Sequence, residues 1–168
     1  HEAQVKYGTP NVDWCEPTVC SYINEPANTW SNLGFLIAGL LIVKKLQNLI
    51  TTAFGWIVIV MGLFSAIYHA TNNYLSQHLD FLGMALMTSY LLAFAVVRLR
   101  SQLQERWTWY WFFVSLNLGT LLFLGILKWP VQLLLALNAI PIVILELILF
   151  FRRSSRLKMT YFWLSIVL

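Results

Sequence analysis

Phe54-Gly-Trp-Ile-Val-Ile-Val-Met-Gly-Leu-Phe-Ser65-Ala-Ile-Tyr-His69-Ala70 is the stretch that decides the fold. It holds no acid, lysine or arginine, and it is long enough for a membrane helix. A transmembrane barrel strand needs only ~9–11 residues, so a barrel is excluded. Working outward, the same reading delimits Ala27 to Val43, Leu79 to Val97, Trp107 to Leu127 and Val131 to Phe151 as further spans. A sixth run, Met159 to Leu168, stops after about half of the ~20 residues that a crossing requires. The expectation is that the chain continues beyond Leu168 and that His1 marks a trimmed start. Trp30, Trp107, Trp109, Trp129 and Trp163 stand near run ends, where an amphipathic ring prefers the headgroup level.

Composition agrees with this. The 168 residues are 59% hydrophobic and 11% charged, whereas soluble domains are roughly a quarter charged. No basic stripe or nucleic-acid motif accompanies the net charge of +4, which reads as a topology signal and excludes a nucleic-acid partner. The expected fold is an all-α integral membrane helical bundle with five complete spans and part of a sixth. Residues 1–168 read as one membrane domain, an acidic segment over 1–26 and the bundle over 27–168. No sequence repeat, low-complexity tract or linker divides it.

Lysine and arginine set the orientation. Lys44, Lys45, Arg98, Arg100, Arg106, Arg152, Arg153, Arg156 and Lys158 share one side, and only Lys6 and Lys128 fall on the other. By the positive-inside rule the larger group is cytoplasmic and the N-terminus is outside or lumenal. The membrane itself reads as plasma or inner membrane, or that of the ER or Golgi. Polar features then gather on the outer side. Asp13, Glu16 and Glu25 precede the first span, and Asn28, Ser31 and Asn32 fall on one face of its outer part.

Ser65 and His69 are an i, i+4 pair, about 6 Å apart along one helix face. Asp80 opens the next run after a loop read as Thr71 to Gln77. Polar groups inside a bilayer are costly and are usually functional. A serine bonded to its own helix beside an interfacial histidine also accounts for the pair when it is taken alone; Asp80 at the facing helix mouth favours a site. Neutral imidazole suits zinc, which in catalytic centres usually takes three protein ligands plus water. His78 points away from Asp80 around the helix and reads as an interfacial residue.

The N-terminal acids have two readings of equal weight. Three carboxylates and the Thr18 hydroxyl can gather oxygens for a hard cation such as calcium, or the segment is a solvated acidic surface. Cys15 and Cys20 lie on the side where disulfides persist, with their pairing open. Glu146 is read as snorkelling towards Arg152 and Arg153, and Pro141 as a kink in the fifth span.

From Asp13 to about Val97 the residues resemble the alkaline ceramidase family, seven-helix membrane amidohydrolases related to adiponectin-receptor-like proteins. The resemblance rests on Asp13-Trp14-Cys15-Glu16, on Glu25 with Asn28-Thr-Trp-Ser31-Asn32-Leu33, on Ser65-x-x-x-His69, and on Asp80 at the family's His-to-Asp interval. It implies seven transmembrane helices in the intact protein and a zinc ion held by three histidines, of which His69 is one. Ser65 and Asp80 belong to the implied active site. A nearby calcium ion is implied on Asp13, the Trp14 carbonyl, Glu16 and Glu25, with Thr18 where the family often has asparagine. The implied activity is hydrolysis of the amide bond of ceramide-like lipids to a sphingoid base and a fatty acid. One departure is large: the family's His-x-x-x-His pair is missing, since the three histidines are His1, His69 and His78. A non-catalytic lipid-binding or receptor-like protein, or a structural subunit of a membrane assembly, would also keep the bundle.

Overall fold

A computed structural model describes residues 7–12, 16–19, 21–45, 49–99, 106–125 and 131–152. Six helices run through them: α1 (Pro26–Ser31), α2 (Leu33–Lys45), α3 (Leu49–Thr71), α4 (Tyr74–Leu99), α5 (Arg106–Gly125) and α6 (Val131–Arg152). No strand occurs among the described residues. The stretch formed by α1 and α2, together with α3 and α4, is long and apolar enough to cross a bilayer, and Leu135–Phe151 is a shorter apolar stretch within α6. The chain is an all-α, multi-pass membrane bundle. The described residues of the five complete runs read from the sequence are helical apart from a turn at Asn32, while residues 126–127 of the fourth run and Met159 to Leu168 lie outside the described residues.

In a membrane every backbone group must be satisfied within the segment, and this selects helix for each run. Packing then depends on close approach, because lipid supplies no hydrophobic drive between apolar helices. α3 lies between α2 and α4, and α4 also contacts α5 and α6. Gly39 and Gly55 form the tightest crossing. A Cβ on Gly39 would sit 2.8 Å from the Gly55 carbonyl oxygen, and one on Gly62 would sit 2.8 Å from the Phe35 Cβ.

Among the described residues α4 is the most enclosed span, with Ala85, Tyr90, Ala93 and Ala95 buried along it. Its Tyr90 hydroxyl donates to the Ile50 carbonyl at the start of α3, as expected for antiparallel neighbours. Within the bundle, Asn117 and Ser89 exchange hydrogen bonds at 2.9 and 3.1 Å, and Asn138 donates to Thr88 at 3.2 Å. These polar pairs join α4 to α5 and α6. At the far end, Glu146 pairs with Arg98 of α4; the Arg152 and Arg153 side chains, towards which it was read as snorkelling, lie outside what the structure describes. Arg98 also lies over the Phe94 ring.

The connection between α3 and α4 is tighter than the sequence suggested. The expected loop from Thr71 to Gln77 shrinks to Asn72 and Asn73, because Tyr74 already begins α4. Asn72 takes φ +43°, a left-handed conformation that asparagine tolerates, and its N–H closes on the Tyr68 carbonyl. Asn73 then caps α4, its Oδ1 accepting the Ser76 N–H at 3.0 Å. Asp80 is consequently in the second turn of α4, below the mouth where it had been expected. His78 is also helical, with Nδ1 donating to the Tyr74 carbonyl at 2.9 Å.

Candidate functional site

Three residues expected to act together are brought together. Ser65 and His69 project from the last turns of α3, and Asp80 faces them from α4. The Ser65 hydroxyl hydrogen-bonds the Asp80 carboxylate, and His69 is close enough to bear on its charge. Asp80 is 3% exposed and His69 9%, so their polar atoms answer to one another more than to solvent.

His69 is oriented from a third element. Glu25, the residue before α1, places Oε2 2.6 Å from His69 Nδ1. The same oxygen accepts the Asn28 side-chain amide at 3.0 Å. A carboxylate oxygen can only accept, so against a carboxylate the Nδ1 hydrogen belongs to the imidazole. Two backbone bonds reinforce the arrangement. The N–H groups of Asn24 and Glu25 each donate at 3.0 Å, to the Ala70 and His69 carbonyls respectively. The last carbonyls of α3 have no partner within their own helix, and the incoming segment supplies one for two of them, His69 and Ala70.

Glu16 takes a position that the sequence did not reveal. Both its carboxylate oxygens sit on the N-terminus of α1, accepting the N–H groups of Ala27 and Asn28 at 2.8 Å. An anion there also meets the positive end of the helix dipole, although α1 is short. Within α1, Asn28 carries much of the local order. Its carbonyl accepts both Ser31 Oγ and Asn32 Nδ2 at 2.8 Å. Thr18 is exposed. Asp13, Trp14, Cys15 and Cys20 lie outside the described residues.

The donors present are of the right kind for the implied ions. A zinc-ligating histidine typically gives its second ring N–H to a carboxylate or carbonyl, which fixes the tautomer. His69 with Glu25 has that form, so a metal, where bound, would take the other ring nitrogen, Nε2. A carboxylate offers about four lone-pair positions; Glu16 and Glu25 each accept two of the hydrogen bonds described here, which leaves acceptor capacity for a hard cation. Among the described residues, no three His, Cys, Asp or Glu side chains are gathered into a metal-holding group.

Ser65, His69 and Asp80 meet as their spacing in the sequence suggests, whereas the contact between Glu25 and His69 was not foreseen and Gln77 is helical where a loop was expected. Nothing in the local pattern signals either feature. Tyr68 and Gln77 are both fully buried and lie next to the site, one residue before His69 and three before Asp80.

Comparison with known proteins agrees with the motifs. A profile of the Ceramidase family matches residues 6–166. A search of curated individual proteins found no match. With nearly the whole length matched and the Ser65, His69 and Asp80 constellation assembled, this chain belongs to the ceramidase family.

Proposed function

We propose that this chain carries part of the catalytic centre of a zinc-dependent amidohydrolase, which cleaves the amide bond of ceramide-like lipids to a sphingoid base and a fatty acid. Family membership supports ceramide hydrolysis as the general chemistry. The observation that carries the finer reading is the meeting of Ser65, His69 and Asp80 beside a histidine-orienting carboxylate. His69 would be one zinc ligand, through Nε2. Bound zinc would supply Lewis acidity towards the amide carbonyl and lower the pKa of water at the site.

Asp80 is the general base in this reading. Its carboxylate accepts the proton from the attacking water and returns it to the leaving amine. Ser65 has a single O–H, which at rest is given to Asp80. Once Asp80 is protonated it becomes a donor to Ser65 Oγ, and the serine hydrogen turns to the oxyanion. One oxyanion donor of this kind is worth ~3 kcal/mol in other enzymes. The base and the oxyanion donor are thereby coupled through one hydrogen bond, whose direction reverses as charge develops on the substrate.

Calcium would bind Asp13, the Trp14 carbonyl, Glu16, Thr18 and Glu25, and would hold the acidic segment against the helix ends. The N-terminus would face outside or the lumen. The test is release of sphingoid base and fatty acid from ceramide by the purified full-length protein, before and after removal of zinc. Turnover that is lost with zinc and restored by it is the expected result. Ceramide binding with no release of fatty acid would assign the chain to the lipid-binding class.

A further inference from the structure

Residues Gly8 to Val12 cross the same end of the bundle and are fastened to it at four points. The Tyr74 N–H donates to the Gly8 carbonyl at 3.0 Å. The Asn11 N–H donates to Gln77 Oε1 at 2.9 Å, and the Tyr68 hydroxyl donates to the Val12 carbonyl at 3.2 Å. Val12 also packs against Phe81. Gly8 has φ +84°, and a Cβ there would stand 3.3 Å from the Tyr74 Cβ. The close seat on α4 therefore calls for glycine.

Two of these bonds end on one buried pair. Gln77 Nε2 donates to the Tyr68 hydroxyl at 3.2 Å, so a closed circuit runs from Asn11 to Gln77, to Tyr68 and to Val12. The circuit fixes the glutamine amide without ambiguity. A backbone N–H can only donate, so the atom facing Asn11 is the oxygen and the NH2 faces Tyr68. Both side chains are 0% exposed, where a lost partner is costly. Tyr68 precedes His69 on α3, and Gln77 is one helical turn before Asp80 on α4.

We propose that Tyr68 and Gln77 are positioning residues, a latch that ties the Gly8–Val12 strap to α3 and α4 and sets the alignment of His69 with Asp80. The proposal rests on the catalytic reading of Ser65, His69 and Asp80. The latch acts through the relative rotation of the two helix ends, and the Tyr68 ring lies beside the His69 ring with centroids 5.0 Å apart. A displacement of ~1 Å at a reacting centre can cost ~100-fold in rate.

The test uses three variants of the full-length protein. Gln77→Leu removes both glutamine bonds, Tyr68→Phe removes only the hydroxyl, and Asn11→Pro removes the strap's donor without touching the bundle. Amide exchange over residues 7–12 and the separate kcat and KM for ceramide are measured in each. The latch predicts faster strap exchange in all three, with kcat lowered ~10- to 100-fold and KM within about threefold. Asn11→Pro keeps the result interpretable if a bundle variant fails to fold. Unchanged exchange overturns the latch whatever the turnover, and faster exchange with unchanged kcat overturns its positioning role. Absent turnover in the wild-type protein overturns the catalytic reading and with it the positioning role, while the exchange data then decide whether the latch itself exists.

Discussion

Glu25 Oε2 and His69 Nδ1 lie 2.6 Å apart across a separation of 44 residues. The contact joins the approach to the first span with the end of α3, and it gives His69 one tautomer and one orientation. Glu25→Gln should keep the fold but weaken zinc retention by ~10- to 100-fold, the usual cost of losing such a carboxylate partner. Zinc content after dialysis against a graded chelator series checks this. Retention equal to wild type would mean that the carboxylate serves the segment and not the metal.

Glu16 separates a cap from a cation site. As a cap alone, Glu16→Ala should lower stability by ~1 kcal/mol, by the same amount with and without calcium. As a calcium ligand, it should also remove the calcium-dependent part of thermal stability, as should Glu25→Ala. Melting temperatures of the three proteins in calcium and in chelator check this, and we expect the calcium-dependent increment to vanish in both variants.

Orientation can be tested with an impermeant thiol reagent. In sealed right-side-out vesicles, Cys15 or Cys20 should label when held as a free thiol, while a cysteine introduced at Arg100 should not. Labelling at position 100 without labelling at 15 would invert the proposed topology and place the site on the cytoplasmic side.

The buried pair Ser89 and Asn117 should act as a clamp between α4 and α5. Interhelical hydrogen bonds in membranes contribute ~0.6 kcal/mol on average and up to ~2 kcal/mol. A double-mutant cycle of Ser89→Ala and Asn117→Leu, followed by unfolding in detergent, should give a coupling energy in that range. Additive losses would show that the two side chains contribute separately.

The bundle was legible in the sequence because each apolar run is far longer than a strand and must close its own hydrogen bonds in lipid. The ends of the helices were less so. Tyr74 to Gln77 looks like a loop by polarity, yet Asn73 caps a helix there and Gln77 is buried by a strap that arrives from far away in the chain. Ser65, His69 and Asp80 could be read because helical periodicity and a short connection place them together. Glu25 could not be paired with His69 in the same way. No periodicity spans the 44 residues between them, and the contact depends on how α1 meets the end of α3.

His69, Ser65 and Asp80 have separate roles in the proposed chemistry, and Asp80→Asn in the full-length protein separates them, with zinc content and ceramide turnover measured on the same sample. His69→Ala and Ser65→Ala serve as references: the first should lose both metal and turnover, the second should keep metal and lose part of the turnover. The asparagine amide can still accept the Ser65 hydrogen but cannot take a proton from water. A folded protein that retains zinc and has lost turnover is the predicted result. A folded, zinc-loaded and fully active Asp80→Asn protein would contradict the account.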